Sequence, residues 1–179
     1  MRRINNLLIL LAATALLFSC QPSKEKRLEE INNFEIALLK EAVAITDTKA
    51  DTLLAMYDGF IREFPQDTNS AIMLYKASDV AANIGECDKA VLYLERLMGD
   101  FPDFYTYELA YFKLAQVYDD VCLNKDKAKR QYELFIDNFP NSKLSIDARV
   151  ILEIYNMADE FDLIREFEEK NKDLDYDWE

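Results

Sequence analysis

No histidine occurs anywhere in this chain of 179 residues. That removes the commonest general base and the commonest zinc ligand, so hydrolytic triads and imidazole metal sites are excluded at the outset. Only three glycines are present, at 59, 85 and 99, too few and too dispersed for a loop that cradles phosphate. With four prolines, chain-breakers are scarce, which favours long helices joined by short turns over a many-turned β fold. Three cysteines occur, none paired at metal-ligand spacing. The longest apolar stretch, Leu7 to Phe18, covers 12 residues, against the ~20 a spanning helix needs. Positive charge is also in deficit: 21 Lys and Arg face 34 Asp and Glu, for a net charge of −13. Such a balance opposes binding to nucleic acid or anionic lipid head groups and is compatible with a basic partner.

What is present is apolar bulk in a repeating order. Half of the residues are hydrophobic, including 11 Phe and 10 Tyr, enough for a sizeable core. Phe-Pro recurs at Phe64-Pro65, Phe101-Pro102 and Phe139-Pro140, at intervals of 37 and 38 residues. A fixed period of that size marks stacked helical hairpins. Asp88-Lys89-Ala90 aligns with Asp126-Lys127-Ala128, and each alanine precedes a Phe-Pro proline by 12 residues. Ala77, Ser78 and Ala115 are small where a facing helix must approach, whereas Leu94, Leu97, Tyr132 and Phe135 are large where a core must be filled. The first unit departs from the pattern with Leu53 at a small position, and the last with Glu153.

Helix signals agree with that period. Ser23 is placed to cap a first helix with a stripe at Leu28, Ile31, Phe34, Leu38, Ala42 and Ile45. Thr46-Asp47-Thr48 breaks it and opens a second helix that ends at Phe64. Asp67 or Thr68 caps a third helix running to Gly85, a left-handed C-terminal position, and Cys87-Asp88 opens the fourth. A fifth is expected from Phe104 to about Val121, a sixth from Lys125 to Phe139 capped by Asn124, a seventh capped by Asn141 or Ser142, and a short eighth around Phe161, Leu163, Ile164 and Phe167.

These residues together resemble the tetratricopeptide repeat, in the slightly long form found in bacterial envelope proteins, where Phe-Pro closes each unit. The resemblance implies an all-α fold, a right-handed α-solenoid of about four helical hairpins, with no enzymatic activity and no cofactor. In that family the first helix of each hairpin lines a concave face. Carried onto this chain, the rule implies a partner-binding groove of Tyr75, Asp79 and Asn83 in one unit and Phe112, Gln116 and Asp120 in the next. Each set is spaced by four and so forms one stripe, suited to an extended peptide or a partner helix. Tyr75 and Phe112 are equally readable as core. No cluster of Lys and Arg accompanies the groove, which argues against the version of the fold that clamps chaperone C-termini.

The start of the chain is a targeting segment. Arg2 and Arg3 precede the apolar run, and Leu17-Phe18-Ser19-Cys20 resembles the bacterial lipoprotein signal. The resemblance implies cleavage before Cys20 and lipid on that residue. Gln21 rather than Asp after the cysteine implies the outer membrane, with the folded part facing the periplasm or displayed at the cell surface. The expected organisation is a signal at 1–19, a lipidated tether at 20–24, a repeat domain at 25–171 and an acidic tail at 172–179. Loss of residues 1–19 moves the net charge from −13 to −15. Among lipid-anchored or periplasmic repeat families, the chain is similar to the lipoprotein subunit of the outer-membrane β-barrel assembly machine and to the periplasmic protein that coordinates the Tol system with peptidoglycan synthesis. The partner implied is therefore a protein or peptide of the envelope.

Cys87 and Cys122 fall near the turns of neighbouring units, on one edge of the solenoid. An oxidising compartment permits a bridge, yet packed helices lie ~8–10 Å apart and a disulfide needs Cα atoms within ~7 Å. Two separate thiols are favoured, with a bridge left open. Asp173, Asp175 and Asp177 alternate like the start of a calcium loop but lack its turn glycine and closing glutamate, so a solvated tail is expected. A rival class is a carboxylate-pair hydrolase using Asp79 and Asp120, disfavoured by the missing histidine and loops. A structural spacer with no groove ligand is a further alternative.

Overall fold

The computed structural model describes residues 23–40, 45–170 and 172. The expected signal, Cys20, Ala42 of the first stripe and the tail aspartates lie outside the described residues. The described chain is all-α, with no strand among the described residues, and six of its seven helices pair as three hairpins of the tetratricopeptide kind, the seventh packing against the sixth. It divides after Pro65 into two compact units.

The first unit holds α1 (Lys24–Lys40) and α2 (Asp47–Glu63). Ser23 caps α1 as its sequence position predicts, its Oγ accepting from the Lys26 amide at 3.3 Å. Thr46 stands at the N-cap of α2 without a side-chain bond; its carbonyl instead accepts from the Ala50 amide at 2.9 Å. The two helices run antiparallel, which places Arg27 against Glu63 at 2.7 Å and the Tyr57 hydroxyl against Glu35 at 2.7 Å. Tyr57, Phe60 and Ile61 are buried from α2, and Ile31 from α1.

The second unit holds α3 (Thr68–Asn83), α4 (Cys87–Asp100), α5 (Tyr107–Gln116), α6 (Lys125–Asn138) and α7 (Leu144–Lys170). Asp67 caps α3 by accepting from the Asn69 amide at 2.8 Å, and Asn124 caps α6 by accepting from Lys127 at 3.0 Å. Gly85, at φ 76°, ends α3. Its amide donates to Ala82 and that of Glu86 to Ala81, the paired bonds that close a helix through a left-handed residue. Ala90, Ala115 and Ala128 are fully buried, as the small-residue pattern requires, and so are Leu94, Leu97 and Phe135.

The Phe-Pro joints are three copies of one conformation. Phe64, Phe101 and Phe139 stand at φ −129°, −135° and −129° with ψ 59°, 57° and 55°. Each amide still donates to the carbonyl four residues back at 2.9 Å, so each phenylalanine completes its helix while the following proline keeps it out of helical ψ. At the last joint the freed Phe139 carbonyl accepts from the buried Ser145 hydroxyl at 2.6 Å, and the Phe139 ring meets Tyr111 edge-on at 5.6 Å.

Two expectations are corrected. The fifth helix begins at Tyr107 rather than Phe104, because residues 101–106 fold into consecutive turns after the joint. Its end widens into a π turn at Val117–Val121, where the Cys122 amide donates to the Val117 carbonyl five residues back. The predicted eighth helix does not form separately: α7 runs unbroken for 27 residues. Residues 156–161 contain neither Gly nor Pro, so nothing stops the helix. In this last unit Ala148, 38 residues after the buried Ala110, makes the close approach, and Glu153 faces solvent.

Candidate functional site

The predicted groove resolves into residues of different kinds. Tyr75 and Asp79 lie half-buried on α3, with Asn83 exposed one turn further on. Gln116 and Asp120 are exposed at the end of α5 and on its π turn. Phe112 is core: it is 6% exposed and packs edge-on against Tyr132 at 5.6 Å and Phe135 at 5.2 Å.

A register slip of one residue explains the difference. Phe112 follows Tyr75 by 37 positions, but the hairpins repeat by 38 here, as Ala77 and Ala115 or Ala90 and Ala128 show. The true counterpart of Phe112 is Leu74, which is fully buried, and the counterpart of Tyr75 is Lys113. One position turns a side chain by about 100° around a helix, enough to exchange groove for core.

Lys113 is therefore the residue in register with Tyr75, which the 37-residue count passed over. Its Nζ sits 5.6 Å from the centre of the Tyr75 ring and forms an ion pair with the Asp79 carboxylate. The first helices of two successive hairpins are thus tied by one lysine that stacks on an aromatic face and neutralises an acid. Burial, and then the charge of Asp79, push the Tyr75 phenol above its ordinary pKa. This contact presents a ring and two charged groups on the first helices of two hairpins. They can contact an extended peptide or a helix through stacking and amide hydrogen bonds. A strict 38-residue register would have found Lys113.

The π turn that follows α5 leads to the second departure. Cys87 and Cys122 are joined in a disulfide with Cα atoms 5.1 Å apart. The spacing that weighed against a bridge applies to helix bodies, whereas both cysteines lie at helix ends. Cys87 is the first residue of α4 and Cys122 the first beyond the π turn. Leu123 follows at φ 51°, and Asn124 donates to the Tyr118 carbonyl at 2.8 Å. Leu123 stands 38 residues after Gly85 and adopts the same left-handed geometry with a side chain that is 82% exposed. Beneath the π turn, burial and the Asp119 and Asp120 carboxylates hold the Tyr132 phenol far above its usual pKa. Tyr155 is raised likewise by burial and by Asp119, against which its hydroxyl lies without a well-formed hydrogen bond.

Among the described residues no three His, Cys, Asp or Glu side chains are grouped to hold a metal ion, and no helix is long and apolar enough to cross a membrane. The family model of the tetratricopeptide repeat matches residues 109–142, from α5 through the last Phe-Pro joint. That segment is similar to a tetratricopeptide repeat. No curated protein matches the sequence. The matched repeat and the α3–α4 hairpin share the helix order and the buried alanines described above. Repeats of this family serve as scaffolds for protein–protein interaction.

Proposed function

We propose that this protein is a non-enzymatic scaffold, anchored to the outer membrane through lipid on Cys20, that holds a protein or peptide partner in the cell envelope. Outer-membrane protein assembly is the process its sequence resemblance favours. The observation that carries the reading is the tie between Tyr75, Asp79 and Lys113 across successive first helices. Side chains on two hairpins are held in fixed relation, and the resemblance implies that the first helices carrying them line the binding face. Asn83 and Gln116 add exposed amide groups at the ends of the same helices, donors and acceptors suited to a peptide backbone.

The anchor and the groove are tested separately. Replacing Cys20 with Ser abolishes incorporation of labelled palmitate and releases the chain from membranes; a variant still labelled and membrane-bound refutes the anchor. A photo-crosslinking residue at Gln116 captures a discrete envelope partner in intact cells. That capture is lost in Tyr75→Ala and Lys113→Ala with helicity unchanged. If Gln116 captures nothing in cells, or captures the same partner regardless of both substitutions, the groove is not the binding site and the protein is a structural spacer.

A further inference from the structure

α7 is apolar on two opposite faces. Its inner face contributes Ala148, Ile151, Leu152 and Tyr155 to the core around Phe112 and Phe135. On the other side Ile146, Val150, Ile154, Met157, Phe161 and Ile164 form a second stripe, from 47% exposed at Met157 to 70% at Phe161. An ordinary surface helix is apolar on one side only, and a helix apolar on both is a buried one. From Val150 onward the stripe advances by 4, 3, 4 and 3 residues, the 3.5-residue average that keeps a seam facing a neighbouring helix.

The charge around the stripe selects among occupants. α7 carries eight acidic against three basic side chains. Asp147, Glu153, Glu160 and Glu168 border the seam, and of the basic residues Arg165 is engaged by Asp162 at 2.8 Å. A second copy would set two acidic helices side by side, and an anionic lipid surface would meet the same repulsion. A helix with an apolar stripe and flanking Lys or Arg satisfies both the seam and its border.

We propose that the outer stripe of α7 is the docking site for a cationic amphipathic helix of a partner protein, a second surface distinct from the α3–α5 groove. The partner helix lies along Val150 to Ile164, packs its apolar positions between theirs, and sets its basic side chains against Glu153 and Glu160.

The test uses the purified full chain and two labelled synthetic helices of about three heptads, both with Leu at the seam positions, one flanked by Lys and the other by Glu. Fluorescence anisotropy should show saturable binding of the Lys-flanked helix, weakened by added salt, with the Glu-flanked helix at least tenfold weaker. Ile154→Ser with Phe161→Ser should weaken the Lys-flanked helix at least tenfold. Both side chains are exposed, so circular dichroism should be unchanged. Tyr75→Ala and Lys113→Ala should leave this binding intact, which separates it from the groove. Equal binding of the two peptides, or full binding by the double variant, overturns the proposal. So does sedimentation showing that the chain alone dimerises and that the double variant abolishes the dimer, or stripe-dependent binding to vesicles containing phosphatidylglycerol.

Discussion

The Cys87–Cys122 bridge makes a quantitative claim about the second unit. It closes a loop of 35 residues that contains the whole of α4 and α5 and so ties two hairpins at their turns. Loop-closure entropy for a loop of that length is about 13 cal/mol/K, or ~3.8 kcal/mol at 25 °C, lost from the unfolded chain. For a unit spanning Gln66–Glu179, with an unfolding entropy of ~2 cal/mol/K per residue, this corresponds to a Tm higher by about 15 °C. The perturbation is Cys87→Ala with Cys122→Ala, made in a Cys20→Ser background so that only these thiols are at issue. Urea unfolding followed by circular dichroism should lose ~3–4 kcal/mol in the double variant. Reductant should lower the midpoint of the bridged chain towards that of the variant and leave the variant unmoved. Maleimide labelling of the denatured, unreduced chain should find no free thiol at either position. A loss under ~1 kcal/mol with two reactive thiols would refute the bridge and the loop-closure argument together.

Leu123→Gly should stabilise the fold by about 1 kcal/mol, seen as a higher urea midpoint, because a left-handed residue with a Cβ costs ~1–2 kcal/mol, partly offset by the unfolded-state entropy of glycine; an unchanged or lower midpoint speaks against strain there. Ala128→Leu should destabilise by ~1–3 kcal/mol in the same assay, since the site is fully buried between helices; tolerance would mean the helices do not approach closely. Phe135→Ala should cost ~3–5 kcal/mol, because the ring is fully enclosed and contacts Phe112 and Phe139. The raised phenols of Tyr132 and Tyr155 make stability alkali-sensitive. The folded state disfavours the ionised form, so their contribution is complete below about pH 10, where unfolded phenols titrate, and falls above it by at most ~1.4 kcal/mol per pH unit per group. Tyr132→Phe should flatten that fall, and tyrosinate absorbance rising in step with exposed tyrosines near pH 10 would contradict the burial.

Periodicity and punctuation made most of the fold legible. The caps at Ser23, Asp67 and Asn124, the left-handed Gly85 and the three Phe-Pro stops are local, and local sterics and hydrogen bonding decide them wherever they occur. The groove was legible only up to a register. Tyr75 and Asp79 are half-buried and share Lys113, but counting 37 rather than 38 residues selected Phe112, a core ring, in place of Lys113. Lys113 alone reads as an ordinary solvated cation, because nothing local to α5 signals a tyrosine and an aspartate on another helix.

By itself, the order of residues determined an all-helical chain of hairpins and where each hairpin closes, since turn chemistry and apolar spacing act within a few residues. Tertiary structure decided the rest. The π turn and the approach of two helix ends bring Cys87 and Cys122 to 5.1 Å, a distance no helix-body spacing implies. The absence of any break lets α7 run on unbroken and leaves its second apolar stripe exposed. A side chain's neighbours across a helix interface depend on axial rotation and end geometry, and a one-residue change in either replaces them all.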